Sequence, residues 1–363
     1  WDGSVQILPF SAADCLTLEN GLVDVADGQS WNEIRSMAAA LRSSFDPAAS
    51  CRLALVVEQG KSSLKSLCDK ALTMLRKQPS TNWSTPDGVW YACSEVSGKL
   101  GALFPGQGAQ YTGMLRDLAC AFPQMLECLD TADQGFAPES ECRLSDLIYP
   151  PTAFTDDTRE VQEAALRATH AAQPAIGAVS LGALRLLESF GLMPDAAAGH
   201  SYGELTALCA AGRLDESSFH ALSRLRGQLM AAGDGDKGSM LAVSAPLTDV
   251  QRMISEEKLD LVIANRNAPN QSVLSGSSSE IVRAADACSS RKLSCKRLPV
   301  AAAFHSPLVA DASSPLLAAL TSITIADGSI PVYSNSTAAC YPSDAFETRE
   351  LLAGHLARPV EFV

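Results

Sequence analysis

The chain has 363 residues and a formal net charge of −13. A chain of this length can bury two or three separate cores. The negative charge argues against nucleic acid or an anionic membrane surface as a partner. Its eleven cysteines are scattered without a C-x-x-C pair, which argues against both a disulfide framework and a zinc site. We find no signal-peptide pattern and no apolar run close to the roughly 20 residues of a membrane helix, so we expect reduced thiols in a cytoplasmic protein.

Residues 1–97 are predicted to form a small α/β domain. Its expected elements are two strands and two helices, at residues 5–9, 52–57, 31–43 and 61–77. The segment 78–88 is rich in Pro, Ser, Thr, Asn and Gly and is predicted to be a linker. We identify no catalytic motif in this region.

Residues 98–232 are predicted to begin a parallel sheet covered by helices, because a strand, a loop, helices, a second strand, a sharp turn and a helix follow one another. The first strand leads into the sequence F-P-G-Q-G-A-Q at residues 104–110. Proline and paired glycines at a strand end make a tight turn whose N–H groups can face a ligand. An ordinary strand-to-helix loop would have the same composition.

A second motif, G-H-S-Y-G-E at residues 199–204, follows an apolar run and opens a helical pattern. The small residues around Ser201 permit the sharp strand-to-helix turn that exposes a serine oxygen. A helix that begins at Tyr202 would direct unpaired N–H groups at an oxyanion. Ser201 is therefore a candidate nucleophile, although serine between glycines also occurs in ordinary turns.

The two motifs together resemble the malonyl-CoA:acyl carrier protein transacylase family, whose hallmarks are a G-Q-G loop and a G-H-S-x-G-E turn. The resemblance implies that a malonyl group moves from malonyl-CoA, through an acyl-enzyme on Ser201, to the phosphopantetheine thiol of an acyl carrier protein. It also implies an oxyanion hole made by the backbone N–H groups of Gln107 and Tyr202. No metal and no bound cofactor is expected.

Serine needs a neighbouring base, and the chain offers five histidines, at positions 170, 200, 220, 305 and 355. His200 should point to the opposite face of its strand from Ser201, and His220 lies within a predicted helix. His305 ends the apolar run 298–304, which is predicted to be a strand end, and chemistry in α/β folds gathers at such ends. A lone histidine there could still be structural. The family's base lies in a matching A-F-H-S-P segment, so the resemblance implies that His305 is the base.

Arg226 lies in a helix predicted for residues 215–230, with Asp215 as its N-cap. Arg226 and Met230 are four residues apart and share one helix face. A solvated arginine beside a core methionine would fit the same pattern. The resembled family has an R-G-x-x-M segment here, which implies that Arg226 holds the free carboxylate of the acyl group through a guanidinium fork.

Four further roles remain open between the resemblance and simpler explanations. Gln173 would line the acyl pocket, or would only open a helix before a proline. Phe304 would favour malonyl over methylmalonyl units, although Ala302 stands where the family usually has a histidine. Asn335 would orient the base through its backbone carbonyl, or would be a turn residue. Glu204 is expected to interact with the dipole of its helix.

Residues 233–300 are predicted to form a ferredoxin-like small domain. Its expected order is β-α-β-β-α-β, with elements at residues 238–245, 246–258, 259–265, 271–275, 277–292 and 293–300. Residues 301–363 then return to the large domain through a helix after Pro307 and a strand at 330–335. The predicted fold is therefore an α/β protein with a parallel-sheet, hydrolase-like large domain, an inserted ferredoxin-like small domain and a preceding α/β linker domain.

The first 97 residues also resemble the adaptor that joins ketosynthase to acyltransferase in type I polyketide synthases, particularly in iterative synthases for polyunsaturated fatty acids and enediynes. This resemblance implies a piece of a longer synthase, with a ketosynthase domain and a carrier-protein domain as partners. Two alternatives stay open. One is a serine hydrolase or thioesterase of the α/β type, in which the late His355 would be the base, and the other is a catalytically inactive docking domain.

Overall fold

A computed structural model describes residues 3–23, 25, 28–94, 98–136, 142–231, 236–300 and 302–363. The chain divides into two compact units, Trp1–Gly98 and Lys99–Val363. The predicted division of the second unit into residues 98–232 with 301–363 and an inserted segment 233–300 stays a prediction.

The first unit is built on a four-stranded antiparallel sheet of order β1-β2-β4-β3. Its elements are β1 (Val5–Ala12), α1 (Cys15–Val23), α2 (Trp31–Ser44), β2 (Cys51–Glu58), α3 (Leu64–Lys77), β3 (Trp83–Thr85) and β4 (Val89–Ala92). Alternate residues of β2 are buried, as the pleat requires of a strand with one covered face. Leu53, Leu55 and Val57 contribute to one core with apolar residues of the helices.

Segment 78–88 is not a linker, so that prediction was wrong. It contains β3, which pairs with β4 to complete the sheet. The ring centroids of Trp83 and Tyr91 lie 5.2 Å apart across this pair. Its turn-forming residues lie before β3 and in the connection between β3 and β4. The helix α1 was not predicted.

The second unit is a mixed α/β structure containing two sheets. Its strands are β5 (Gly101–Phe104), β6 (Ala196–Gly199), β7 (Ser239–Ser244), β8 (Leu261–Ala268), β9 (Gln271–Gly276), β10 (Ser294–Arg297), β11 (Val332–Ser334), β12 (Ala339–Cys340) and β13 (Val360–Glu361). Its helices are α4 (Arg116–Ala121), α5 (Pro123–Phe136), α6 (Leu144–Ile148), α7 (Asp156–Arg167), α8 (Thr169–Ser189), α9 (Gly203–Ala210), α10 (Glu216–Ala231), α11 (Leu247–Glu256), α12 (Ser278–Ser290), α13 (Ser313–Thr321) and α14 (Ala345–Gly354), with a 3₁₀ helix at Pro307–Ala312.

The first of these sheets has the order β12-β11-β6-β5, and β5, β6 and β11 run parallel. The carboxyl ends of parallel strands meet at one edge of a sheet, where α/β proteins place their chemistry. The G-Q-G loop, the serine turn and Asn335 follow β5, β6 and β11 respectively. The three segments are therefore brought together by the topology.

The second sheet has the order β10-β7-β9-β8-β13. Strands β7 to β10 and helices α11 and α12 follow the predicted order along the chain, and β13 adds in parallel to β8. The prediction of a strand over residues 293–300 was wrong in its extent, because β10 ends at Arg297. The segment before His305 is therefore not a strand end, which suits Pro299, since proline cannot donate to a ladder.

Within the described part of the chain, every helix is too short or too polar to cross a lipid bilayer.

Candidate active site

The turn between β6 and α9 places Ser201 in the left-handed backbone region, with φ of 51°. A side chain there is strained and needs surrounding structure to hold it. A Cβ on Gly199 would lie 1.8 Å from the carbonyl carbon of Gly203, and a Cβ on Gly203 would lie 2.2 Å from the Phe104 oxygen. The tight turn is therefore compatible only with glycine at both positions, as a nucleophile turn requires.

The predicted nucleophile and base are in contact, because Ser201 Oγ lies 2.7 Å from His305 Nε2. On the other side of the ring, Nδ1 lies 3.1 Å from the His355 carbonyl and 3.0 Å from the Arg358 carbonyl. Carbonyls only accept, so Nδ1 carries the proton and Nε2 is free to accept the hydroxyl proton of Ser201. This is the tautomer that a general base needs.

The environment of His305 keeps its ring neutral. Burial, followed by the charges of His355 and Arg226, lowers the pKa of His305 well below its ordinary value. A neutral imidazole accepts a proton, whereas an imidazolium cannot. The His305 backbone adopts φ of 57°, and its N–H donates to the Leu356 carbonyl at 3.2 Å.

Asn335 does not orient the base, so that prediction was wrong. Its carbonyl accepts from the Glu361 N–H at 2.9 Å, and the carbonyls at the base are those of His355 and Arg358. The Asn335 side chain instead accepts from the Ser201 N–H at 2.7 Å and donates to the Gly199 carbonyl at 2.8 Å. Asn335 therefore braces the serine turn from the neighbouring strand.

The G-Q-G loop packs directly against the serine turn. A Cβ on Gly106 would lie 2.3 Å from the His200 carbonyl oxygen, and the His200 N–H donates to the Phe104 carbonyl at 2.9 Å. Within the described part of the chain, the backbone N–H groups of Gln107 and Tyr202 donate no hydrogen bond. Unpaired backbone donors beside a nucleophile can bind an oxyanion.

Arg226 is buried rather than solvated, with 3% of its surface exposed. Its Nη1 donates to Gln173 Oε1 at 2.7 Å, while Nη2 is buried without a partner among the described residues. Burial lowers the pKa of Arg226 to about 10, so the guanidinium remains charged at neutral pH. A buried cation with an unsatisfied N–H group is a ready binding site for a carboxylate.

Gln173 joins the predicted acyl-pocket residues into one network. Its Nε2 lies 3.3 Å from Gln107 Oε1 and 3.4 Å from Met230 Sδ, and its Oε1 binds Arg226. The Gln173 side chain therefore contacts three other predicted site residues.

The family of the chain follows from comparison with known proteins. The family model described as "Acyl transferase domain" matches residues 103–359. The chain belongs to this acyl transferase family. It is an acyltransferase, and the predicted resemblance to acyltransferase domains of polyketide and polyunsaturated fatty acid synthases is confirmed.

Two related proteins show the range of this acyltransferase family. The chain is 34% identical over 272 residues to malonyl CoA-acyl carrier protein transacylase of Bacillus subtilis, covering 73% of this chain and 80% of that protein. It is 31% identical over 335 residues to a polyunsaturated fatty acid synthase of Thraustochytrium sp., covering 87% of this chain. The matched region is 12% of that synthase polypeptide, so the chain corresponds to a small part of it.

A solved structure with the same architecture is the acyltransferase domain of an iterative polyketide synthase in enediyne biosynthesis. It superposes with a TM-score of 0.73 at 27% identity, over 99% of this chain and 81% of that one. The predicted α/β class is confirmed by this likeness and by that to the malonyl CoA-acyl carrier protein transacylase of Coxiella burnetii, at a TM-score of 0.65 and 30% identity over 73% of this chain and 81% of that one.

Three of the other histidines make their contacts elsewhere than at Ser201 Oγ. His200 Nε2 lies 2.7 Å from Asn267 Oδ1, in agreement with a side chain that faces away from the nucleophile. His220 is buried in α10, where burial lowers its pKa to about 4. His355 Nδ1 lies 2.8 Å from Glu204 Oε2, so its side chain is engaged elsewhere. The geometry therefore favours His305 over His355 as the base.

Glu204 lies in the first turn of α9, as predicted, and makes further contacts that were not predicted. Its side chain is fully buried, with Oε2 on His355 and Oε1 accepting from the Asn335 N–H at 2.5 Å. Burial alone would raise the pKa of Glu204, but the His355 charge and these hydrogen bonds outweigh it and lower the pKa below its ordinary value. No local sequence pattern indicates the buried contact between Glu204 and His355, because His355 is distant along the chain.

Proposed function

We propose that this acyltransferase moves a malonyl group from malonyl-CoA, through an acyl-enzyme on Ser201, to the phosphopantetheine thiol of an acyl carrier protein. The observation that carries the proposal is the pairing of two features. Ser201 Oγ lies 2.7 Å from His305 Nε2, and Arg226 nearby in the fold keeps a buried Nη2 without a partner among the described residues. The first feature is an activated nucleophile, and the second selects an acyl group with a free carboxylate.

In the first half-reaction, Ser201 Oγ attacks the thioester carbonyl as His305 Nε2 takes the hydroxyl proton. The N–H groups of Gln107 and Tyr202 bind the oxyanion that forms, and loss of one such donor typically costs about 10²- to 10³-fold in rate. The C–S bond then breaks, His305 returns its proton to the leaving sulfur, and the malonyl ester remains on Ser201.

In the second half-reaction, the phosphopantetheine thiol occupies the place of the departed CoA sulfur. His305 removes the thiol proton, and the thiolate attacks the ester carbonyl. The ester C–O bond to Ser201 then breaks as the new thioester forms, and His305 returns the proton to Ser201 Oγ. Water is the competing acceptor. By holding the malonyl carboxylate, Arg226 keeps the carbonyl in the oxyanion hole throughout, which favours the bound thiol by orientation.

The acyl pocket is proposed to comprise Arg226, Gln173, Met230 and Phe304. Gln173 fixes the guanidinium through its 2.7 Å hydrogen bond, so the remaining N–H groups keep a constant direction. Phe304 is buried directly before the base. Its ring would exclude an α-methyl group and so favour malonyl over methylmalonyl units.

We also propose the finer organisation of the chain. Residues 98–232 with 301–363 form the large, hydrolase-like subdomain, and residues 233–300 form a ferredoxin-like subdomain, as the strand order β10-β7-β9-β8 with antiparallel pairing supports. Residues 1–97 serve as the linker to a ketosynthase domain. The partners are then a ketosynthase domain and a carrier-protein domain of one synthase.

Mass spectrometry of the intact protein tests the proposal. Brief incubation with malonyl-CoA should add one malonyl mass, and addition of a phosphopantetheinylated carrier protein should move that mass to the carrier. Ser201→Ala is the matched control and should stay unlabelled. Labelling of the Ser201→Ala variant would reject the transferase mechanism. So would a malonyl group that leaves Ser201 by hydrolysis at the same rate whether or not the carrier protein is present.

A further inference from the structure

A contact between a carboxylate and an imidazole that the proposed reaction does not use lies buried behind the catalytic residues. Glu204 Oε2 and His355 Nδ1 are 2.8 Å apart, and the two side chains are 0% and 1% exposed. Charged side chains are almost never buried to this degree unless they are paired. Removing one partner of such a pair is costly, because it leaves the other charge buried and uncompensated.

One residue of the pair lies on the segment that carries the nucleophile, and the other lies on a segment whose backbone contacts the base. Glu204 is in the first turn of α9, three residues after Ser201. His355 follows α14, and its backbone carbonyl accepts from His305 Nδ1 at 3.1 Å. His355 therefore holds His305 through its backbone carbonyl and holds Glu204 through its side chain.

The second carboxylate oxygen extends this connection to the serine turn. Glu204 Oε1 accepts from the Asn335 N–H at 2.5 Å, and the Asn335 side chain binds the Ser201 N–H and the Gly199 carbonyl. A single carboxylate thus connects the segment that orients the base with the residue that braces the nucleophile.

We propose that Glu204 and His355 are positioning residues for acyl transfer, holding the carbonyls behind His305 so that its Nε2 faces Ser201. This inference rests on the proposed function. A reaction of this kind depends on a Ser201–His305 geometry held within a fraction of an ångström, since a displacement of about 1 Å can cost 10²-fold in rate.

The pair also acts on the base through charge. The ionisable groups that interact with the charges of the pair are His200, His305, Arg226 and Tyr341. The rings of His305 and His355 have centroids 5.1 Å apart, and the His355 charge adds to burial in lowering the pKa of His305. Neutralising position 355 therefore raises the pKa of His305, and the acidic limb of the pH–rate profile moves to higher pH.

The test compares Glu204→Gln, His355→Gln and the double variant with the wild-type protein. The matched control is Arg266→Gln in β8, which breaks a partly exposed pair with Glu361, a residue on the same C-terminal segment as His355. Rapid-quench mass spectrometry gives kcat and KM for acylation of Ser201 by malonyl-CoA from pH 5 to pH 9. Thermal melts establish that each variant is folded.

Each single variant should lower kcat by at least about tenfold with KM within about threefold, because neither residue of the pair is proposed to contact malonyl-CoA. The double variant should lose no more than the worse single one, since the two residues act as a unit. The acidic limb of His355→Gln should move to higher pH, and Arg266→Gln should match the wild type.

Wild-type rates in both single variants would overturn the proposal. So would equal losses in Arg266→Gln, or a loss in His355→Gln that is the same at every pH. If Glu204→Gln does not fold, the proposal is tested by the acidic limb of the pH–rate profile of His355→Gln alone. If the wild-type protein forms no malonyl adduct, the proposed function fails instead, and the rate at which a fluorophosphonate labels Ser201 in the same variants then tests the positioning role.

Discussion

Asn335 holds Ser201 in place through a side chain that binds the backbone on both sides of the turn, accepting from the Ser201 N–H at 2.7 Å and donating to the Gly199 carbonyl at 2.8 Å. Ser201 needs this support because its φ of 51° is unfavourable for a residue with a side chain. Strain of this kind persists only where the surroundings fix the backbone.

Asn335→Asp and Asn335→Ala should therefore have graded effects on acylation. The aspartate keeps an acceptor for the Ser201 N–H and loses the donor to Gly199, whereas the alanine loses both. We expect losses in kcat of about tenfold and about 10²-fold respectively, as second-layer partners of a site typically give. Pre-steady-state acylation measures them, and equal rates for alanine and wild type would contradict the bracing role.

The glycines of the serine turn provide a prediction about folding. A Cβ on Gly203 would meet backbone atoms at 2.2 Å, and backbone cannot move aside as a flexible side chain can. Gly203→Ala should therefore destabilise the protein by more than about 3 kcal/mol or prevent folding. The matched control is Gly101→Ala, where a Cβ meets nothing within 4 Å. Urea unfolding of both variants decides, and similar midpoints would contradict the packing argument.

The sequence predicted the reacting side chains but not the main-chain groups that orient them. Ser201, His305 and Arg226 were found because each lies in a short motif with a characteristic residue type. The carbonyls of His355 and Arg358 have no such signature, since any residue supplies a carbonyl. Only the folded path of the segment after α14 brings them to His305 Nδ1.

Long-range pairing explains the other differences. Glu204 looks only like a helix-terminus residue because its partner His355 is 151 positions away in the sequence. The strand β3 looks like a linker because it is three residues long and is flanked by turn formers. Local pattern identifies an element by its periodicity, and three residues are too few to show one.

His220 gives the protein a pH-dependent stability. Its pKa is lowered by burial to about 4 in the folded state, against 6.5 for the exposed ring. The unfolded chain therefore binds the proton first, and stability is lost as pH falls from about 6.5 towards 4. We expect a loss of about 2 kcal/mol between pH 7.5 and pH 5 from this group.

His220→Leu should show a shallower dependence over the same window, measured by urea unfolding at several pH values. The variant keeps the side chain apolar, as its burial beside Phe219 requires. If the free energy of unfolding depends on pH equally in wild type and variant, other groups cause the acid sensitivity. The buried His305 is the next candidate.

Arg226 should discriminate between acyl groups. Arg226→Ala removes the only proposed partner of the malonyl carboxylate, and charged hydrogen bonds of this kind contribute about 1.5–3 kcal/mol. We expect kcat/KM for malonyl-CoA to fall about 10- to 150-fold, and that for acetyl-CoA, which has no free carboxylate, to change little. Parallel losses with both thioesters would show that Arg226 only supports the fold through Gln173.

The choice between malonyl and methylmalonyl units should depend on Phe304. The phenyl ring is buried directly before His305, and Ala302, also buried, leaves more room nearby than a histidine would. Steric exclusion of a branched acyl group can be strong, whereas an extra methyl that is accommodated changes binding by only about 1–3 kcal/mol. We therefore expect wild-type protein to prefer malonyl-CoA in a competition read by intact mass, and Phe304→Ser to shift the ratio towards methylmalonyl-CoA.

Ala302→Val is a matched variant that should narrow the same space and sharpen the preference for malonyl-CoA. Comparable acylation of the wild type by both thioesters would exclude a size filter here, and an unchanged ratio in Phe304→Ser would place the filter elsewhere in the pocket.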